Sequence, residues 1–141
     1  YTSPPGGGTT DYAIAIFHSV VNKNSYDCFI EEDVQLPMIY MDDAIRATLE
    51  LMNSDRKKLS INSSYNLSGI SFSPKEIALA IKKIHTDFSI TYNPDFRNNI
   101  ALSWPSSIDD SIARKDWLWG HEFNLEKTVE KMLSGITTLK F

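Results

Sequence analysis

Short runs of β-type residues alternate with amphipathic helical stretches along the chain, and this alternation constrains the fold more than any other feature. Four strand candidates stand out: "YDCFI" (26–30), "LPMIYM" (36–41), "YNLSGI" (65–70) and "FSITYN" (88–93). Five helices are expected before, between and after them. Residues 11–22 place Ala13, Ile16, Phe17, Val20 and Val21 at helical spacing. Residues 42–52 put Ile45, Leu49 and Met52 on one face. "SPKEIALAIKKI" (73–84) carries the strongest start signal, with Ser73 at the cap, Pro74 at the first helical position and Glu76 to close a capping box. "DDSIARKDWLW" (109–119) begins with acids. "NLEKTVEKMLSG" (124–135) points Leu125, Val129, Met132 and Leu133 inward and stops at Gly135. Residues 1–10 read as a Pro/Gly loop, 53–64 as a polar connection and 94–108 as irregular or short helix. The class is therefore α/β. Four short strands are too few for a complete dinucleotide-binding sheet.

At 141 residues, with 42% hydrophobic and 23% charged residues, the chain has the composition of one globular unit. A net charge of −4 and the lack of a Lys/Arg run argue against nucleic-acid binding. No apolar run approaches 18 residues, so no membrane-spanning helix is expected. Cys28 is the single cysteine, which excludes an internal disulfide framework and fits a reducing, intracellular setting. The first residues show no secretory pattern. The chain opens on Tyr1 rather than Met, and we expect a piece of a longer protein.

Chemistry concentrates in "PPGGGTTDYA" (4–13). It is not a P-loop, because no Gly-Lys-Ser/Thr follows. It is not a Rossmann fingerprint, because the glycine spacing is wrong and no strand precedes it. Two readings stand. A flexible loop entering a helix N-terminus offers N–H groups, a favourable dipole and the hydroxyls of Thr9 and Thr10 to a small carboxylate or phosphate. Alternatively Thr10 or Asp11 caps the helix and the glycines only turn the chain. The acid pairs Asp42–Asp43 and Asp109–Asp110 sit at helix starts and read as caps. His18, His85 and His121 fall in separate elements and form no metal spacing with Cys28. Trp104, in an irregular stretch, is either packing or a lid over a pocket. Trp117 and Trp119 flank a helix end and are expected to bury.

Six segments, in this order, carry a resemblance: "PPGGGTTDYA", "LPMIYMDDAIRATLELM", "YNLSGISFSPKEIA", "ITYNPDFR", "SWPSSIDDSIARKDWLW" and "FNLE". Together they resemble the C-terminal part of the L-threonine 3-dehydrogenase family of short-chain dehydrogenase type, related to UDP-galactose epimerase. The resemblance implies the substrate-binding portion of an extended short-chain dehydrogenase (Rossmann-type) fold, with the N-terminal sheet missing. It implies NAD as cofactor of the complete enzyme, L-threonine as substrate, 2-amino-3-oxobutanoate as product and a homodimer. Gly8 and Thr10 match family positions that contact the amino acid, with Thr9 beside them, and Trp104 matches a tryptophan that closes over it. The family's catalytic Tyr-x-x-x-Lys is absent, since none of the six tyrosines has Lys four residues on. No catalytic residue is therefore expected in this chain, nor activity from it alone. A mitochondrial address would lie upstream. Where the family pattern has Gly, this chain has Leu118, which puts the geometry of that turn in question. Two rivals remain: a nucleotide-sugar epimerase or reductase of the same fold, and a non-catalytic interaction module.

Overall fold

The computed structural model describes residues 5–139; residues 1–4 of the expected N-terminal loop lie outside them. Two two-stranded sheets organise the chain. In the first, β1 (Ser25–Cys28) runs parallel to β4 (Ser89–Tyr92), with Tyr26 opposite Ile90 and Cys28 opposite Tyr92. In the second, β2 (Leu36–Met38) runs antiparallel to β3 (Ile70–Phe72), with Leu36 opposite Phe72. Among the described residues six α-helices accompany them: α1 (Tyr12–Lys23), α2 (Met41–Asn53), α3 (Pro74–Lys82), α4 (Phe96–Leu102), α5 (Ser111–Trp117) and α6 (Leu125–Leu139).

The main core is the meeting of α1, α3 and α6 over the strands. The 3.6-residue spacing of Tyr12, Ile16, Phe17 and Val20 buries all four on one face of α1. Val129, Met132, Leu133 and Ile136 of α6 and Ile77 and Ile81 of α3 complete the cluster. Each such aliphatic or aromatic side chain contributes about 1.5–3 kcal/mol on burial. The Tyr12 hydroxyl donates to the Phe72 carbonyl at 3.2 Å, which satisfies its one polar atom. Helix α1 ends where Asn24 turns left-handed (φ 55°), a conformation that Asn tolerates well. Helix α3 starts as its sequence dictates. The Ser73 Oγ accepts the Glu76 N–H at 3.3 Å and the Glu76 carboxylate accepts the Ser73 N–H at 2.8 Å.

Several expectations change. Gly135 does not stop the last helix, which continues to Leu139. Glycine inside a helix costs about 1 kcal/mol against Ala, and burial of Ile136 one residue later more than offsets it. The segment 65–69 joins neither sheet; only Ile70 onward is paired. Its Ser68 N–H goes to the Asp110 carboxylate instead of a ladder. Gly69 passes so close to β2 that an added Cβ would lie 2.7 Å from the Met38 carbonyl oxygen, so no larger residue fits. In α2, Ile45, Leu49 and Met52 share a face as expected, and that face is turned to solvent, with each residue more than half exposed.

The inward face of α2 carries Asp43, Arg46 and Ala47. Ala47 packs with Ala113 and Trp119 in a second, smaller cluster that Tyr65, Leu67 and Trp117 flank. Trp119 is buried as expected; Trp117 is half-buried. Asp43, expected as a cap, has no cap bond to its own helix. It is 1% exposed and accepts the N–H groups of Glu122 and Phe123 and the Arg46 guanidinium. Asp110 likewise reaches beyond its helix: it pairs with Arg114 of α5 itself and also accepts the Trp119 indole N–H and the Ser68 N–H. Capping is left to Asp109, which accepts the Ser111 N–H at 2.9 Å. A carboxylate taken out of water needs several donors, and only tertiary neighbours supply that many here.

Leu118 settles the turn after α5. It adopts φ 62°, ψ 31°, so the left-handed geometry that suits glycine is kept and leucine bears its strain. Its side chain is 87% exposed.

Candidate functional site

The glycine-threonine stretch forms a loop followed by one helical turn, Thr9–Asp11, that feeds directly into α1. Gly7 takes φ +96°, which only glycine adopts without strain. The Asp11 carboxylate folds back over the loop and accepts the Gly7 N–H at 2.7 Å and the Gly8 N–H at 2.9 Å. Two of the amides that the sequence offers to an incoming anion are thus taken by the chain's own carboxylate. The signal was legible. An acid at the third position of a helical turn reaches back to the N-cap amide, as in a capping box.

What the loop leaves open is the threonine pair. Thr9 and Thr10 are half-buried, and neither hydroxyl has a hydrogen-bond partner among the described residues. Both remain able to donate. Helix α4 packs against this turn, and Trp104 lies just beyond its end, with its N–H bonded to the Ala101 carbonyl. The structure therefore brings the helix that precedes Trp104 to the threonine turn. Trp104 is 44% exposed, too open for a core residue.

A cavity of about 820 Å³ opens beside Trp104, lined among others by Glu31, Asp33, Tyr92 and Leu102. Neither Thr9 nor Thr10 lines it. Its acidic rim is partly spent on Lys75, which pairs with Glu32 and Asp33.

Sequence reasoning missed the group beneath the loop. Asp95 caps α4 through the Arg97 N–H and also holds the Arg97 guanidinium by both carboxylate oxygens. That guanidinium lies 3.2 Å from the centroid of the Phe29 ring. Its positive charge is felt by Tyr26, and its pairing with Asp95 holds that carboxyl below the usual carboxylate range. Tyr26 is pushed up, chiefly by burial and then by Cys28, and its hydroxyl has no hydrogen-bond partner among the described residues. Burial likewise raises the Cys28 thiol to about 11, so it stays protonated and unreactive at neutral pH. Arg97 and Asp95 lie in the quoted "ITYNPDFR", but only the fold places their charge near the glycine loop.

Among the described residues no strand leads into the glycine loop, and two of its amides face Asp11, so this loop is not built as a nucleotide cradle. Among the described residues no group of three or more His, Cys, Asp or Glu is arranged to hold a metal, and no helix is long and apolar enough to cross a membrane.

No family model matches the chain. It is 48% identical over 133 residues to the mitochondrial L-threonine 3-dehydrogenase of Bos taurus, covering 94% of this chain and 35% of that protein. The L-threonine dehydrogenase structure from Phytophthora infestans superposes with a TM-score of 0.94 at 47% identity, over 97% of this chain and 44% of that one. The GalE-like enzyme from Cupriavidus necator, in its apo form, gives 0.92 at 52% identity, over 96% and 49%. The chain thus spans less than half the length of these relatives. With identity near one half and superposition over nearly every residue, the chain belongs to the epimerase-like L-threonine 3-dehydrogenase family, as a C-terminal portion of its short-chain dehydrogenase fold.

Proposed function

We propose that this chain is the substrate-side part of an NAD-dependent L-threonine 3-dehydrogenase, which oxidises L-threonine to 2-amino-3-oxobutanoate. The observation that carries the reading is the pair of hydroxyls on Thr9 and Thr10 that have no hydrogen-bond partner among the described residues, on a turn packed against the helix that leads to Trp104. Thr10, with Thr9 beside it, donates to the amino-acid carboxylate. The N-terminal end of α1 adds favourable charge. Gly8 lets the backbone pass close to the ligand, and Trp104 covers the bound amino acid against water. The catalytic tyrosine and lysine and the NAD site belong to the rest of the protein, which pairs as a homodimer. The bovine relative is named as mitochondrial, which supports an intracellular site of action.

A nucleotide-sugar enzyme is less well supported. A diphosphate needs free cations, and Arg97, on the helix packed against this turn, is held by Asp95.

Two measurements test the reading. The isolated chain should form no NADH from L-threonine, because oxidation needs a cofactor held against the substrate. In the complete enzyme, Thr10→Val keeps the shape and removes the hydroxyl. Loss of a hydrogen bond to a charged group costs about 1.5–3 kcal/mol, roughly ten- to a hundred-fold in kcat/KM for L-threonine. Trp104→Ala should weaken threonine use in the same way, with the KM for NAD nearly unchanged in both variants. Wild-type threonine kinetics with a lowered Tm would instead make both residues structural.

A further inference from the structure

The longest run of cations in this net-acidic chain is Arg56-Lys57-Lys58. All three are exposed on one short turn after α2. Asp55 is spent on that turn, accepting the Lys57 N–H at 3.0 Å. None of the three cations joins an ion pair among the described residues. Ser60 follows, exposed, after an extended Leu59. Its hydroxyl and its backbone N–H both donate to Oδ2 of Asp116, each at 2.7 Å. The Tyr65 hydroxyl donates to the same oxygen at 2.6 Å and accepts the Ile61 N–H at 3.1 Å. Asp116 is buried on α5. One carboxylate oxygen thus pins the strap 59–65 to that helix, with the Tyr65 ring edge-on to Trp117 at 4.7 Å between centroids.

We infer that Ser60 is a phosphorylation site for a serine kinase that selects basic residues ahead of its acceptor, and that the phosphate releases the strap from Asp116. Kinases choose substrates by charge pattern, and Lys58, Lys57 and Arg56 stand two, three and four positions before the Ser60 hydroxyl. Ser63 and Ser64 are exposed as well, but they lie further from the run. In the transfer, the γ-phosphoryl group of a nucleoside triphosphate passes to Ser60 Oγ. An Oγ–P bond forms as the bond from that phosphorus to the diphosphate oxygen breaks, and the hydroxyl proton goes to the kinase's base. The release follows from charge. A hydroxyl that donated to Asp116 becomes an ester oxygen on a group of roughly two negative charges at neutral pH. A charge-assisted hydrogen bond is replaced by repulsion from a buried carboxylate. The unpaired cations of the turn 56–58 are close in sequence to take the phosphate in its place.

The test incubates the complete protein with MgATP and the catalytic subunit of cyclic-AMP-dependent protein kinase, used as the basic-selective probe. A synthetic peptide of residues 55–64 runs alongside. Peptide mass spectrometry reads the modified residue, and hydrogen exchange reads the amides of 59–65. Ser60 should take up phosphate in both protein and peptide, and Ser60→Ala should take up none in this segment. Exchange across 59–65 should speed up about tenfold or more in the phosphorylated protein, while α1 keeps its rate. Ser60→Ala loses the hydroxyl bond but keeps the backbone N–H bond to Asp116. It should therefore exchange only slightly faster than wild type, which separates the repulsion from the mere loss of a bond.

A protein left unmodified while the peptide is phosphorylated means that the folded strap shields Ser60, and it overturns the proposal. Failure of the peptide as well overturns it, because the basic run is then no recognition signal. So does phosphate on Ser63 or Ser64 in preference to Ser60. A phosphorylated protein that exchanges no faster than Ser60→Ala overturns the release from Asp116.

Discussion

The Asp11 carboxylate accepts the backbone N–H of Gly7 at 2.7 Å. The bond, with its companion from Gly8, holds a three-glycine loop in one shape and so fixes where Thr9 and Thr10 present their hydroxyls. Asp11→Ala in the complete enzyme should loosen the loop and raise the KM for L-threonine about fivefold, which corresponds to about 1 kcal/mol, with kcat and the KM for NAD little changed. Asp11→Asn keeps an acceptor oxygen and should recover most of the loss. A fall in kcat with KM unchanged would assign Asp11 a different role.

Leu118 holds a left-handed conformation with 87% of its side chain in solvent. It gains little packing to offset the strain. Leu118→Gly should therefore stabilise the chain, by about 1 kcal/mol once the added freedom of the unfolded chain is counted. The urea midpoint should rise with an unchanged slope. A lower midpoint would mean that the leucine side chain contributes packing worth more than its strain.

Asp43 and Asp110 tie α2 and α5 to their neighbours. Burial alone would push each carboxyl up. Arg46 and the Glu122 and Phe123 amides hold Asp43 below the usual carboxylate range, and Arg114 and the Ser68 amide do the same for Asp110. With folded values depressed below the unfolded value of about 3.9, both groups contribute stability above that pH. The contribution is lost as pH falls through their folded values, because the unfolded chain then binds more protons. Urea midpoints should be flat from about pH 7 to 5 and fall below about 4. Asp43→Asn should lower the plateau and flatten the acid limb. An acid limb as steep as in the parent would remove Asp43 from the account.

Ser73 is buried and closes the capping box of α3. Ser73→Ala should cost about 1 kcal/mol, read as a lower urea midpoint. Equal midpoints would show that Pro74 and the packing of Ile77 and Ile81 set this helix start without the hydroxyl.

The sequence by itself determined the elements whose causes are local. The capping box at Ser73, the apolar spacing of α1 and α6, and the strand character of 26–30 and 88–93 all lie within a dozen residues, and each element formed close to where it was expected. It also carried the family, because six motif segments are spread along the chain between residues 4 and 126. Tertiary structure decided whatever depends on residues far apart. Asp43 and Asp110 look like caps from their neighbours, yet their donors come from Glu122 and Phe123 and from Ser68, 79, 80 and 42 positions away. The stripe of α2 is legible as amphipathic, but its direction is not. Periodicity tells which residues share a face, and only the ties of Asp43 and Arg46 turn the polar face inward. In the same way the sequence of the glycine loop leaves an anion site and a simple cap both open, while the hydrogen bonds of Asp11 decide which of its donors stay unpaired.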